Sequence, residues 1–247
     1  MQVIWGRNSV NEALRGRRKV LRVHLASGVS PSGIVADIQE RARRQNVPVQ
    51  VVPRHELDRL AGSSEHQGVV AQVADYPYAE VEDILRKAHQ RNEPPFVLVL
   101  DSLQDPQNFG SLLRTAEAVG VSGVIIPRRR AVEVTPAVVK ASAGAVEHLE
   151  VAQVTNLVQT LESLKREGVW IVGVDAAGQQ DYHQADLTGP IAIVVGGEGA
   201  GIGRLVREHC DFLVKLPMRG RVTSLNAAVA GSIVLYEAWR QRQARQS

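Results

Sequence analysis

From Phe96 onward the sequence repeats one pattern: a short, mostly apolar run, then a stretch with helical spacing. The runs fall at residues 96–100, 123–126, 149–154, 169–174, 191–195 and 212–216. They do not alternate polar with apolar, so each predicts a strand covered on both faces. Helical spacing falls at 109–119, 137–146, 157–167, 205–209 and 225–242. Strands joined through helices imply an α/β fold, a mostly parallel sheet with helices on both faces. Ligands of such sheets bind where loops leave the carboxyl ends of the strands.

The first 75 residues have a different rhythm. Ser9, with Glu12 three residues on, has capping-box spacing for a first helix. Residues 20–25 alternate as a strand, 31–45 suit an amphipathic helix, and 47–52, 54–60 and 68–74 predict strand, helix and strand. That is a small α/β unit. Residues 76–95 turn polar and proline-bearing, which predicts a linker carrying one helix at 81–91. The expected domains are therefore 1–75, a linker over 76–95, and 96–247.

Composition removes several classes. A hydrophobic content of 44% with 22% charged residues excludes a wholly disordered chain. No apolar run approaches the roughly 18 residues that span a bilayer, and the opening residues lack the regions of a secretory signal. Cys210 is the only cysteine, so an internal disulfide and a Cys-rich zinc site are excluded, and the seven His residues form no ligand-spaced cluster. The expectation is a soluble cytoplasmic protein with no metal and no membrane partner.

Charge placement adds a partner class. Residues 1–75 hold eleven Lys or Arg against seven Asp or Glu, a net +4, while the whole chain carries +3. Of 29 basic residues 24 are Arg, whose planar fork suits phosphate. Runs at 15–19, 41–44 and 128–130 are candidate phosphate contacts, though solvated basic faces have the same composition. Aromatic content of 4% argues against a stacking platform for single strands.

Three loops are placed for chemistry. In the first, Asp105-Pro-Gln-Asn108-Phe-Gly-Ser-Leu-Leu-Arg114, Asn108 stands where a helix begins and suits an N-cap. Arg114 has small neighbours, Gly110, Ser111 and Ala118, that leave it room to reach a ligand. The second, Gly196-Gly-Glu198-Gly-Ala-Gly201, lets backbone approach a ligand closely. It lacks the Lys and Ser/Thr of a Walker loop, and Arg204 stands at the last glycine of a dinucleotide fingerprint. The third runs from Leu216-Pro-Met218 to Ser224-Leu225-Asn226. Ser224 suits a cap for the last helix, and Asn226 inside that helix needs partners for its amide.

Together, in this order, these motifs resemble the SpoU (TrmH-type) family of RNA 2′-O-methyltransferases, of the knotted SPOUT superfamily. Trp5-Gly-Arg-Asn-Ser-Val-Asn-Glu-Ala-Leu and His66-Gln-Gly-Val-Val-Ala resemble the ribosomal-protein L30e-like RNA-binding domain of some members. The resemblance implies a knotted sheet, a homodimer and S-adenosylmethionine as cofactor. It further implies methyl transfer to a guanosine ribose of 23S ribosomal RNA. Asn108, Arg114, Glu198, Ser224 and Asn226 match the family's catalytic positions; Gly196, Leu216, Met218 and Leu225 match its cofactor pocket. Ser111 stands where Ala is common, and Ala227-Ala228 where Val-Ser often follows, without loss of a functional group.

Two accounts of the chemistry stay open. The family's proposed base matches Arg114, yet a guanidinium is effectively always protonated. A bidentate phosphate grip suits Arg114 better, which leaves Glu198 as the carboxylate able to take a proton. Methylation of transfer RNA, a non-catalytic RNA-binding protein and a dinucleotide-dependent oxidoreductase are the competing functions. The failed glycine fingerprint disfavours the last.

Overall fold

The computed structural model describes residues 1–129 and 131–246; Arg130, at the end of one basic run, and Ser247 lie outside the described residues. Contacts group the chain into two units.

The first unit holds Met1–Pro77 and Val134–His148. Its elements are β1 (Gln2–Trp5), α1 (Arg7–Arg15), β2 (Val20–Ala26), α2 (Ile34–Arg44), β3 (Val49–Val52), α3 (Arg54–Ala61) and β4 (Val69–Val73). To these it adds α6 (Pro136–Ala141) and a 3-10 turn at Ala145–His148. The sheet order is β1-β4-β2-β3, with β4 antiparallel to both neighbours and β2 parallel to β3. β1 escaped the sequence reading because its four residues pair with a strand nearly 70 positions away. α1 begins two residues before Ser9, which is buried inside it; Gly6 holds the cap position at φ 95°.

A fully buried ion pair, Arg18 Nε to Glu147 Oε2 at 3.3 Å, ties residues 134–148 into this unit. The Tyr76 hydroxyl donates to the Val146 carbonyl at 3.0 Å, and the Arg18 guanidinium lies 5.1 Å from the Tyr76 ring centre. Arg18 is thus committed to the core and is not a phosphate contact; Arg15 pairs with Glu12, and Arg43 and Arg44 pair with Glu40. His66 is buried for a structural reason. Its Nδ1 accepts the Gly68 N–H at 2.9 Å and its Nε2 meets Asp58 at 3.0 Å, which holds a turn with Gln67 at φ 56°.

The second unit holds Tyr78–Glu133 and the chain from Leu149 on. It runs α4 (Val81–Gln90), β5 (Phe96–Asp101), α5 (Pro106–Ala118), β6 (Gly123–Pro127), β7 (Val151–Val154), α7 (Leu157–Arg166), β8 (Trp170–Val174), β9 (Gln180–Asp181), β10 (Ile191–Gly196), α8 (Arg204–Glu208), β11 (Phe212–Lys215) and α9 (Ala227–Gln246). The seven strands are all parallel, in the order β7-β6-β5-β10-β8-β11-β9. One face packs Val97, Val99, Ala192 and Val194 against Ile84, Leu85, Leu157, Leu161 and Leu164 of α4 and α7. On the other, α9 approaches so closely at Gly231 that an added Cβ would meet Leu112 and Val195 within 3.0 Å.

Two expected boundaries change. Residues 78–95 are part of the second unit and not a free linker, because Ile84 and Leu85 are core residues and a Glu80/Asp83 capping box starts α4. Residues 134–148, expected in the catalytic domain, belong to the first unit through Arg18 and Tyr76. Sequence order hid both, since the partners are distant in the chain.

Candidate active site at the carboxyl ends of the parallel strands

The strand order reverses between β5 and β10, so the loops after these strands diverge and leave a crevice. β5 ends at Asp101, register partner of Gly196 at the end of β10. α5 follows with Asp105, not Asn108, as its N-cap: Asp105 Oδ2 accepts the Asn108 N–H at 2.8 Å, and Pro106 takes the first helical position. Asn108 therefore sits within the first turn with its side chain released from capping.

That side chain joins all three motifs. Asn108 Nδ2 donates to Glu198 Oε1, and Asn226 Nδ2 donates to Asn108 Oδ1 at 3.0 Å. Both amide orientations are forced, because a carboxylate can only accept. Asn226 Oδ1 accepts the N–H groups of Ala228 and Val229 at 2.9 and 3.2 Å. Asn226, and not Ser224, is thus the cap of α9, standing before the helix and not inside it.

Glu198 rides on a tight glycine loop. Gly201 N–H bonds the Gly197 carbonyl at 3.0 Å and Ala200 N–H the Glu198 carbonyl at 2.9 Å. An added Cβ on Gly196 would lie 2.0 Å from the Gly201 backbone, and one on Gly197 2.5 Å from the Ser102 carbonyl oxygen. Only glycine permits that approach.

A cleft of about 780 Å3 opens beside this loop. Gly196, Glu198, Leu216, Met218, Ser224, Leu225 and Asn226 line it, so the expected pocket positions converge with two of the three hydrogen-bonded side chains. Asp175, Arg207, Lys215 and Thr223, which none of the three motifs marked as site residues, line it too. Asp175 Oδ2 pairs with Arg207 at 3.0 Å, and its Oδ1 accepts the Ala177 N–H at 2.9 Å. An acidic residue closing an apolar strand, as Asp175 does after β8, was the available signal. Among the described residues, no three His, Cys, Asp or Glu side chains converge to hold a metal ion.

Arg114 stands apart. It is exposed on α5, about 9 Å along the helix from Asn108 at 1.5 Å per residue. It does not line the cleft. Its guanidinium thus remains available to a ligand larger than the cleft.

A parallel α/β sheet with a glycine-rich crevice, a carboxylate held by an amide that a second amide orients, and a cleft of mixed polar and apolar lining has the features of a small-molecule-binding protein of the α/β class. Residues 95–236 match the SpoU rRNA Methylase family, and residues 3–79 match the RNA 2′-O ribose methyltransferase substrate-binding family. YacO of Bacillus subtilis strain 168, whose name places it in the TrmH family and gives tRNA and rRNA, is 50% identical over 96% of this chain and 94% of its own. Among solved structures, the SpoU methyltransferase AviRb of Streptomyces viridochromogenes in complex with AdoMet is similar at TM-score 0.82 and 26% identity, covering 98% of this chain and 90% of that one. AdoMet-bound rRNA methyltransferase from Sinorhizobium meliloti is similar at TM-score 0.78 and 26% identity, over 97% and 87%. The chain belongs to the SpoU family of RNA methyltransferases.

Proposed function

We propose that this protein methylates a ribose 2′-hydroxyl of RNA, a guanosine in 23S ribosomal RNA, with S-adenosylmethionine as methyl donor. The observation that carries the reading is the Asn226–Asn108–Glu198 chain at the cleft, which spends three separate motifs on orienting one carboxylate.

The cleft fits the cofactor on its own features. Its volume lies in the range of small-molecule sites. Leu216, Met218 and Leu225 offer apolar contact to a purine, and the glycine loop and residues 216–218 offer backbone groups to its edges. The cofactor supplies an electrophilic methyl group on a sulfonium. This chain supplies orientation and a proton acceptor: Glu198 Oε1 is engaged by Asn108, and we assign Oε2 to take the 2′-hydroxyl proton. Arg114 is assigned to the adjacent phosphate, where its fork fixes the hydroxyl in line. Ser224, exposed on the cleft wall, is assigned to the same acceptor pocket.

The first unit is assigned to RNA selection, supported by its net charge and its family match. A homodimer in the cytoplasm completes the proposal. Mass spectrometry of rRNA and tRNA, from cells with and without the protein, tests it. Loss of one 2′-O-methylguanosine from 23S RNA is expected; loss from tRNA alone moves the activity to the other substrate, and no loss sinks the reading.

A further inference from the structure

Asp101 is a charged residue where charge is expensive: it closes an apolar strand and is 8% exposed. Among the described residues it has no ion pair. Hydrogen bonds hold it instead, Oδ2 accepting the Gly203 N–H at 2.7 Å and Oδ1 accepting the Ser102 hydroxyl at 3.0 Å. Ser102 itself lies at φ 60°, a conformation a non-glycine residue keeps only where its surroundings impose it.

The register makes this placement consequential. Asp101 is the ladder partner of Gly196, where the glycine loop departs, and its carboxylate catches Gly203, where the loop returns. One residue therefore holds both ends of the segment that carries Glu198. Within that segment the hydrogen bonds are local, so its placement over the cleft is set from outside, by Asp101 at its ends, by Asn108 at Glu198 and by the buried Ile202.

We propose that Asp101 is the positioning residue of this site, setting the glycine loop against β5 so that Glu198 meets Asn108 and the cleft keeps its shape for the cofactor. The inference rests on the cofactor reading above, and its test separates the two. Purified full-length protein is titrated calorimetrically with S-adenosylhomocysteine, well below its melting temperature, and turnover is measured at saturating cofactor.

Asp101→Ala removes the acceptor of the Gly203 N–H and frees the returning end of the loop. Cofactor-product binding is expected to weaken about tenfold or more, the consequence of a glycine loop no longer held against β5, with kcat lowered even at saturation. Asp101→Asn keeps an acceptor for Gly203, and the Ser102 hydroxyl can rotate to accept from the new amide, so affinity is expected within about threefold of wild type. Asp101→Glu keeps the charge but displaces the carboxylate by one methylene, and is expected to resemble Ala. If Asp101→Ala fails to fold, the contrast of Asn with Glu carries the same test. Wild-type affinity and turnover in the Ala or Glu variant overturns the proposal, as does Asn losing as much as Ala. Failure of the wild type to bind S-adenosylhomocysteine overturns the cofactor reading instead.

Discussion

Asn226 donates its side-chain amide to the side-chain carbonyl of Asn108 across 118 positions of sequence, while its own carbonyl caps α9. One side chain thus has two separable duties, helix start and site alignment. Asn226→Ala removes both and is expected to cost about 1 kcal/mol of stability from the lost cap, with reduced turnover. Asn226→Ser keeps a good cap without the amide. It should melt near wild type yet lose roughly tenfold in methyl transfer, because Asn108 is no longer aligned. Thermal melts and single-turnover transfer from labelled cofactor separate the two duties.

Asn108→Asp replaces the donor facing Glu198 with a second carboxylate. Like charges at hydrogen-bond distance favour one shared proton, so the Glu198 side of the pair becomes a poorer base at neutral pH. The expected result is a rate profile whose lower limb moves to higher pH, with turnover at pH 7 reduced by about 100-fold for a misaligned acceptor. A pH–rate series on the variant checks it.

Arg114→Lys keeps charge and loses the planar fork. With Arg114 exposed and outside the cleft, cofactor affinity should match wild type while single-turnover transfer falls on the order of 100-fold. Turnover within a few-fold of wild type would remove the phosphate grip from the mechanism.

In the first unit, Glu147→Ala leaves Arg18 charged and buried without its partner. Removing one member of such a pair costs about 3–5 kcal/mol, whereas replacing both by apolar residues of similar volume is often neutral. Glu147→Ala should therefore melt markedly earlier than the double variant Arg18→Met/Glu147→Leu, as read by circular dichroism.

Burial pushes the Cys210 thiol up to about 11, against the smaller pull of Lys165. The thiol is then almost wholly protonated at pH 8, and iodoacetamide should alkylate it about 100-fold more slowly than a free cysteine. Because the folded value lies above the unfolded one, its contribution to stability is complete below about pH 9 and is lost as pH rises through about 11. Alkylation rates across pH 7–11 measure the shift directly.

Sequence alone determined the parallel α/β character of the second unit, because unbroken apolar runs such as Ile191–Val195 have no other satisfactory burial. It also determined which motifs carry polar groups among glycines, since backbone lying so close to other backbone that an added Cβ would fall 2.0–2.5 Å from it admits no side chain. Local spacing could not say which polar residue capped which helix: Asp105 and Asn226 took the roles that Asn108 and Ser224 suited equally well, and so freed Asn108 to bridge. Only tertiary structure decided that. It also decided that Glu147 belongs with Arg18, that Ile84 belongs to the sheet, and that Asp101 meets Gly203. The physical reason is common to all these cases. A buried side chain, apolar or polar, takes whichever partner the fold brings into contact, and that partner comes from a strand, helix or loop far along the chain.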